Sequence, residues 1–469
     1  MGNGNPGSTA GSRRSGVPST VPFATALAFA ISAIGTASPA LAQMSGTTSQ
    51  PIEVRTIEVT QGAGTTTMAA APVPPGEASR TKPSPETLPK PRVGTFNEID
   101  KLYDGYLDFK KMLSDRYNLD FSMEFSLFGQ FASEGGGKPV WPVVYYPSLT
   151  WKPFTDTSFG SGQIDATTGH QTYYSRFNTG DQTARMGLIT FPNDWTNDNL
   201  SVSTLAYTHT MPGSMSWLSV TAGQYNLFKF DPNAYAANAQ TSFIGYSFAQ
   251  DATQTFPNAG FGGYATASTP DDQFHISGGS QSAANLAGDS LRSDGRYANW
   301  GNFQWTPKID GLGAGVYSIL VYKQPFIHNI SSHSTGISFS ASQELTEKWG
   351  AFVRVNTASG SDLDIRHSIA AGGVMNDPFH RNPTDRVGVA LAYDVTNAHA
   401  IGVEPNGSFE HETLFAGPRN HEWVSEVFYN YTVSKAIWIT PDAQVFWNPA
   451  LAPSRDAEAV FTVRTTLFF

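Results

Sequence analysis

The 469-residue sequence contains no cysteine. That excludes disulfide frameworks, thiolate metal sites and cysteine nucleophiles in one step. Charge is also scarce: Asp, Glu, Lys and Arg make up 14 % of the residues, against roughly 25 % in an ordinary soluble domain. The net charge of −10 argues against nucleic acid as a partner, which takes a basic surface. Beyond Ile34 no stretch holds the ~20 consecutive apolar residues that a transmembrane helix needs, and the mean hydropathy is −0.26. If this chain spans a membrane it does so as a closed barrel. In lipid every backbone group must be paired within the protein, and only helices and closed barrels achieve that.

Aromatic residues are plentiful, at 13 %, with 31 Phe, and there are 44 Gly. The N-terminus reads as an export signal over residues 1–42. Arg13 and Arg14 form the basic region, Val21 to Ile34 the apolar region, and Ala40-Leu41-Ala42 a small-x-small cleavage site. The apolar region is short for a bilayer span. Loss of the two arginines with the signal takes the net charge from −10 to −12. Residues 43–94 are rich in Thr, Ala, Pro and Gly. Such a segment buries too little apolar surface to offset the entropy of ordering it, and it is expected to be a disordered periplasmic linker.

One helix is expected next, over 95–117. Thr95 and Glu98 have capping-box spacing, and Ile99, Leu102, Tyr103, Tyr106, Phe109 and Leu113 recur with helical period. From about Leu119 the period changes to two. Leu119, Phe121, Met123, Phe125 and Leu127 share one face, and Asp120, Ser122, Glu124 and Ser126 the other. Comparable alternation recurs around Leu218, Ile337, Trp349, Val387 and Val427, separated by turn-like stretches such as PNDWTNDN, TASGSD and TPDAQ. The segments have the length of a tilted bilayer-crossing strand. Trp217, Trp349, Trp423, Trp438 and Trp447 sit near segment ends, as in an aromatic girdle. The chain ends AVFTVRTTLFF, a final strand with Phe461, Val463, Leu467 and Phe469 on one face and Arg464 on the other. At about 20–24 residues per strand and connection, the length beyond Leu119 predicts roughly 16 antiparallel strands, an all-β transmembrane barrel with a lumen.

Three C-terminal stretches carry a resemblance: ISFSASQELTEKWGAFVRVNTASGS, GGVMNDPFHRNPTDRVGVALAY and SEVFYNYTVSKAIWITPDAQVFWNPA. They are similar to the OprB family of carbohydrate-selective outer-membrane porins, with looser similarity upstream to about Phe96. The resemblance implies a 16-stranded barrel in the outer membrane of a Gram-negative bacterium. It also implies a constricted, polar lumen through which sugars diffuse passively. Phe469 resembles the C-terminal signal read by the barrel-assembly machinery, and porins of this kind often form homo-oligomers.

If Phe469 and Leu467 face lipid, strand phase turns Arg464 inward, together with Glu124, Arg354, Asn356, Arg386, Asp394, Glu426, Asn430 and Gln444. These nine are the candidate pore-lining, substrate-contacting residues. Each has a second reading, as a group that braces the barrel wall without meeting a solute. No catalytic or metal site is expected, and no cofactor. His411-Glu412 and His421-Glu422 lack the second histidine of a zinc motif, and no G-x-S-x-G is present. Two alternatives to a sugar channel remain open: a porin for another small solute, and a plugged barrel that docks a partner through the linker.

Overall fold

The computed structural model describes residues 97–195, 199–283, 295–327, 331–402 and 418–469. The expected signal and linker, and Thr95, lie outside the described residues. The first element is a helix, α1, Asn97–Tyr117. Sixteen strands follow: β1 Leu119–Ala132, β2 Pro142–Thr157, β3 Gly160–Tyr173, β4 Asn199–Thr210, β5 Leu218–Tyr225, β6 Gly260–Ser268, β7 Phe274–Ser282, β8 Tyr297–Trp305, β9 Gly315–Lys323, β10 Ser331–Glu344, β11 Trp349–Ser361, β12 Ile365–Asn376, β13 Arg386–Thr396, β14 His421–Ser434, β15 Ile437–Trp447 and β16 Ala457–Phe468. Each pairs with its sequence neighbours, and β1 pairs antiparallel with β16, which closes the barrel. The last residue joins this seam: the Phe469 amide donates to Met123 O at 2.8 Å, and the Met123 amide to Phe469 O at 3.0 Å.

The two faces of each strand see different surroundings. On β16, Phe461 and Val463 are 47 % and 37 % exposed while Thr462 and Arg464 are at 0 %. The apolar face therefore points outward, to lipid, and the polar face into the barrel. Outward-facing aromatic residues gather at both ends. Trp151, Trp217 and Trp349 mark one end and Trp141, Trp423 and Trp447 the other, all exposed. Trp438 departs from the expected girdle. It shares the inward phase of Thr440, and its ring packs 5.0 Å from that of Phe468.

Connections at the end holding the chain terminus are short, as at Lys435-Ala436, whereas long ones, 226–259 among them, lie at the other end. Outer-membrane barrels put short turns in the periplasm, so α1 and Phe469 mark the periplasmic end. Two expected turns are strand instead. Thr440–Gln444 lies inside β15, and Thr357–Ser361 closes β11. In β15, Thr440 and Asp442 are buried inward while Pro441 sits on the outer face, paired opposite Val463. The two-residue alternation overrides the local turn propensity of Pro-Asp.

Candidate functional site

The interior is crossed by the chain itself. Residues 226–259, between β5 and β6, leave the wall and run through the barrel almost wholly buried. Apart from two short helical turns at Phe228–Phe230 and Tyr246–Ala249 the segment is irregular, so its buried backbone groups need partners, and the inward side chains of distant strands supply many of them.

On β10 the alternating serines form a docking row. Ser338 Oγ donates to Asp231 at 2.8 Å, Ser340 Oγ donates to Pro232 O at 2.8 Å, and Ser342 Oγ accepts from the Ala234 amide at 3.0 Å. Beside it on β11, the Arg354 guanidinium pairs with the Asp231 carboxylate, both fully buried. Burial pushes the Asp231 carboxyl up from its ordinary value, and the charge of Arg354 opposes that rise. The segment then reaches the β16–β1 seam. Arg464 donates to Ser242 O at 2.9 Å and to Ala239 O, and Glu124 accepts from Asn238 Nδ2 at 3.0 Å. Asn430 Nδ2 donates to Thr241 O at 2.7 Å. On β14 the Glu426 carboxylate accepts the amides of Ile244 and Gly245 at 2.6 and 2.8 Å. Asp394 accepts from Ser247 Oγ. Gln444 donates to Pro192 O at 2.7 Å, holding a second inward segment that contains the buried Asn193, Asp194 and Trp195. That segment was expected as a turn-like connection between strands (PNDWTNDN). Asn356 Nδ2 donates to Ser338 Oγ at 2.7 Å and so supports the serine row.

An apolar anchor accompanies these bonds. The Phe243 ring lies 4.9 Å from Phe428, 5.3 Å from Phe352 and 5.6 Å from Phe248. Gly388 makes room for it: a methyl group there would meet Phe428 at 2.3 Å and Phe243 at 2.9 Å.

All nine candidate residues thus face the interior. Eight are buried, and most of these hold the inserted segments. Arg386 differs. It is half-buried and its Nε donates to Asn376 Oδ1 at 2.9 Å. At this periplasmic level four adjacent strands present Glu344, Gly350, Asn376 and Arg386 to the interior, with Glu344 opposite Gly350 and Asn376 opposite Arg386 in register. Into the gap left by Gly350 comes Tyr235 of the inserted segment; a methyl group at 350 would meet its ring at 2.2 Å. Tyr235, Glu344, Asn376 and Arg386 all keep accessible surface inside the barrel. Of these, the sequence reading singled out Arg386 alone. The inserted segment did carry a signal: Phe228, Phe230, Phe243, Tyr246, Phe248 and Phe256 are more aromatic surface than an exposed loop would hold. Among the described residues no cluster of His, Asp and Glu could bind a metal ion.

Comparison with known proteins agrees with this architecture. Residues 327–469 match the model of the carbohydrate-selective porin, OprB family. Porin AaxA of Chlamydia pneumoniae is 29 % identical over 366 residues, spanning 76 % of this chain and 80 % of that protein. Porin AaxA of Chlamydia felis is 27 % identical over 408 residues, spanning 83 % and 88 %. The high-pH structure of Pseudomonas putida OprB has the same fold, with a TM-score of 0.63 at 14 % identity, covering 78 % of this chain and 97 % of that one. These relatives are channels rather than enzymes. A closed barrel of sixteen strands with a lipid-facing apolar band, and porin relatives along most of the chain, make this a porin-like barrel of the Gram-negative outer membrane, with residues 327–469 similar to the OprB family of carbohydrate-selective porins.

Proposed function

We propose that the chain is a passive channel for sugars, with its selective constriction built by residues 226–259 and its solute contacts at the Tyr235–Arg386–Glu344 cluster. The observation that carries this reading is the placement of an aromatic ring from the inserted segment beside a guanidinium and a carboxylate from the wall, all three keeping accessible surface. A sugar crossing a narrow pore must exchange its water shell for donors and acceptors, and must be held weakly enough to leave. Arg386 and Glu344 supply both kinds of group with fixed direction, and the Tyr235 ring offers a face to the C–H surface of a pyranose. In this reading Glu124, Arg354, Asn356, Asp394, Glu426, Asn430, Gln444 and Arg464 act on transport by holding the constriction in place.

The family description supports a carbohydrate solute, whereas the names of the Chlamydia relatives specify a porin and no solute. The competing reading is therefore a channel for another small polar solute. Swelling of liposomes containing the purified protein separates the two. Glucose should enter faster than an amino acid of similar size, and a disaccharide more slowly than glucose. Equal rates for solutes of one size would leave a porin without sugar selectivity.

A further inference from the structure

We infer that α1 is an interfacial helix, with the edge formed by Ile99, Leu102 and Phe109 inserted among the lipids of the periplasmic leaflet. Ile99, Leu102, Tyr106, Phe109 and Leu113 follow one another at steps of three and four and form a single stripe along the helix. Part of that stripe is used by the barrel. The Tyr106 ring lies 6.1 Å from Phe121, edge to face, and Lys110 Nζ lies 5.1 Å above the same ring. Phe121 belongs to the outward, lipid-facing phase of β1. The helix therefore touches the outer side of the wall. Its other fixings are on the rim: Lys110 Nζ to Phe469 O at 3.1 Å, the Lys435 amide to Asp100 at 2.8 Å, and Lys435 Nζ to Asp104 at 2.7 Å.

The rest of the stripe is uncovered. Leu102 is 80 % exposed, Phe109 48 % and Ile99 39 %. One turn on either side of Tyr106, Leu102 and Phe109 extend the surface begun by Phe121, so the uncovered edge is continuous with the band that already meets lipid. The opposite side of the helix carries Asp104, Asp108, Lys111 and Asp115. An apolar edge at the level of the aromatic girdle, backed by a charged face, is the arrangement of a helix lying in the membrane interface. A coiled coil with a second copy would need the same stripe, but Tyr106 at its centre is already held against Phe121.

The absence of native cysteine makes single-site spin labelling direct. Leu102→Cys, Phe109→Cys, Asp108→Cys and Asp115→Cys variants of the whole chain would be labelled and reconstituted in phosphatidylethanolamine–phosphatidylglycerol vesicles. Channel activity would be confirmed for each. Labels at 102 and 109 should collide far more often with dissolved oxygen than with a water-soluble nickel chelate, and labels at 108 and 115 the reverse. Preferential collision with the nickel chelate at 102 and 109 would overturn the inference. So would low accessibility to both agents with dipolar broadening between copies, which would seat a second chain on this edge.

Discussion

Arg354 on β11 and Asp231 in the segment that crosses the barrel form an ion pair with both side chains 1 % exposed. Neither strand phase nor local sequence requires that Asp231 be there, yet without it Arg354 would be a buried charge without its counter-ion. Asp231→Asn should cost about 3–5 kcal/mol, the penalty of breaking one side of a buried pair. The loss falls on the docking of the segment rather than on the wall. Single-channel recordings should show larger, noisier conductance, with the barrel still resistant to thermal unfolding.

Phe243 tests the apolar half of the same anchorage. Phe243→Ala removes a ring that contacts Phe248, Phe352 and Phe428, at about 3–5 kcal/mol for a buried Phe. The constriction should widen. In swelling assays a trisaccharide excluded by the native protein should enter the variant, and glucose should lose its advantage over an amino acid of similar size.

Tyr235 and Arg386 should affect selectivity without changing size exclusion. An aromatic contact is worth about 1 kcal/mol, so Tyr235→Ala should weaken sugar block of the current roughly fivefold. Arg386→Gln should weaken it as well, and both should keep the native size cutoff. Gly350→Ala is a sharper probe, because the added methyl displaces the Tyr235 ring without changing the Arg386 or Glu344 side chain.

Asp251 predicts a pH dependence. Its carboxyl, in the inserted segment, is pushed from 3.8 up to about 7 by burial and by the nearby Asp231. The folded segment therefore binds a proton that the released segment gives up at lower pH. Docking should weaken as pH rises from about 4 to about 7 and level off above. Current noise measured across that range should rise with pH, and Asp251→Asn should reduce that rise.

Much of the wall was legible in the sequence because period-two alternation is clear in several strands, as around Leu119, Ile337, Trp349, Val387 and Val427, and at the C-terminus it gave Phe469 and Arg464 opposite faces. The same logic placed Arg354, Glu426 and Arg464 inside. It could not say what they would meet, because their partners lie far along the chain: Glu426 accepts from Gly245 and Arg464 donates to Ser242. Nothing local marks 226–259 as an interior segment apart from its aromatic content. Local propensity failed in the opposite sense at Thr440–Gln444, where Pro441 on the outer face let a turn-like stretch remain strand.

The most direct measurement is current through single channels of the full-length protein, titrated with glucose and, separately, with a neutral amino acid of similar size. The account predicts concentration-dependent, saturable interruption of the current by glucose, a much weaker response to the amino acid, and loss of the difference in Tyr235→Ala. Equal responses to the two solutes in the native protein would contradict it.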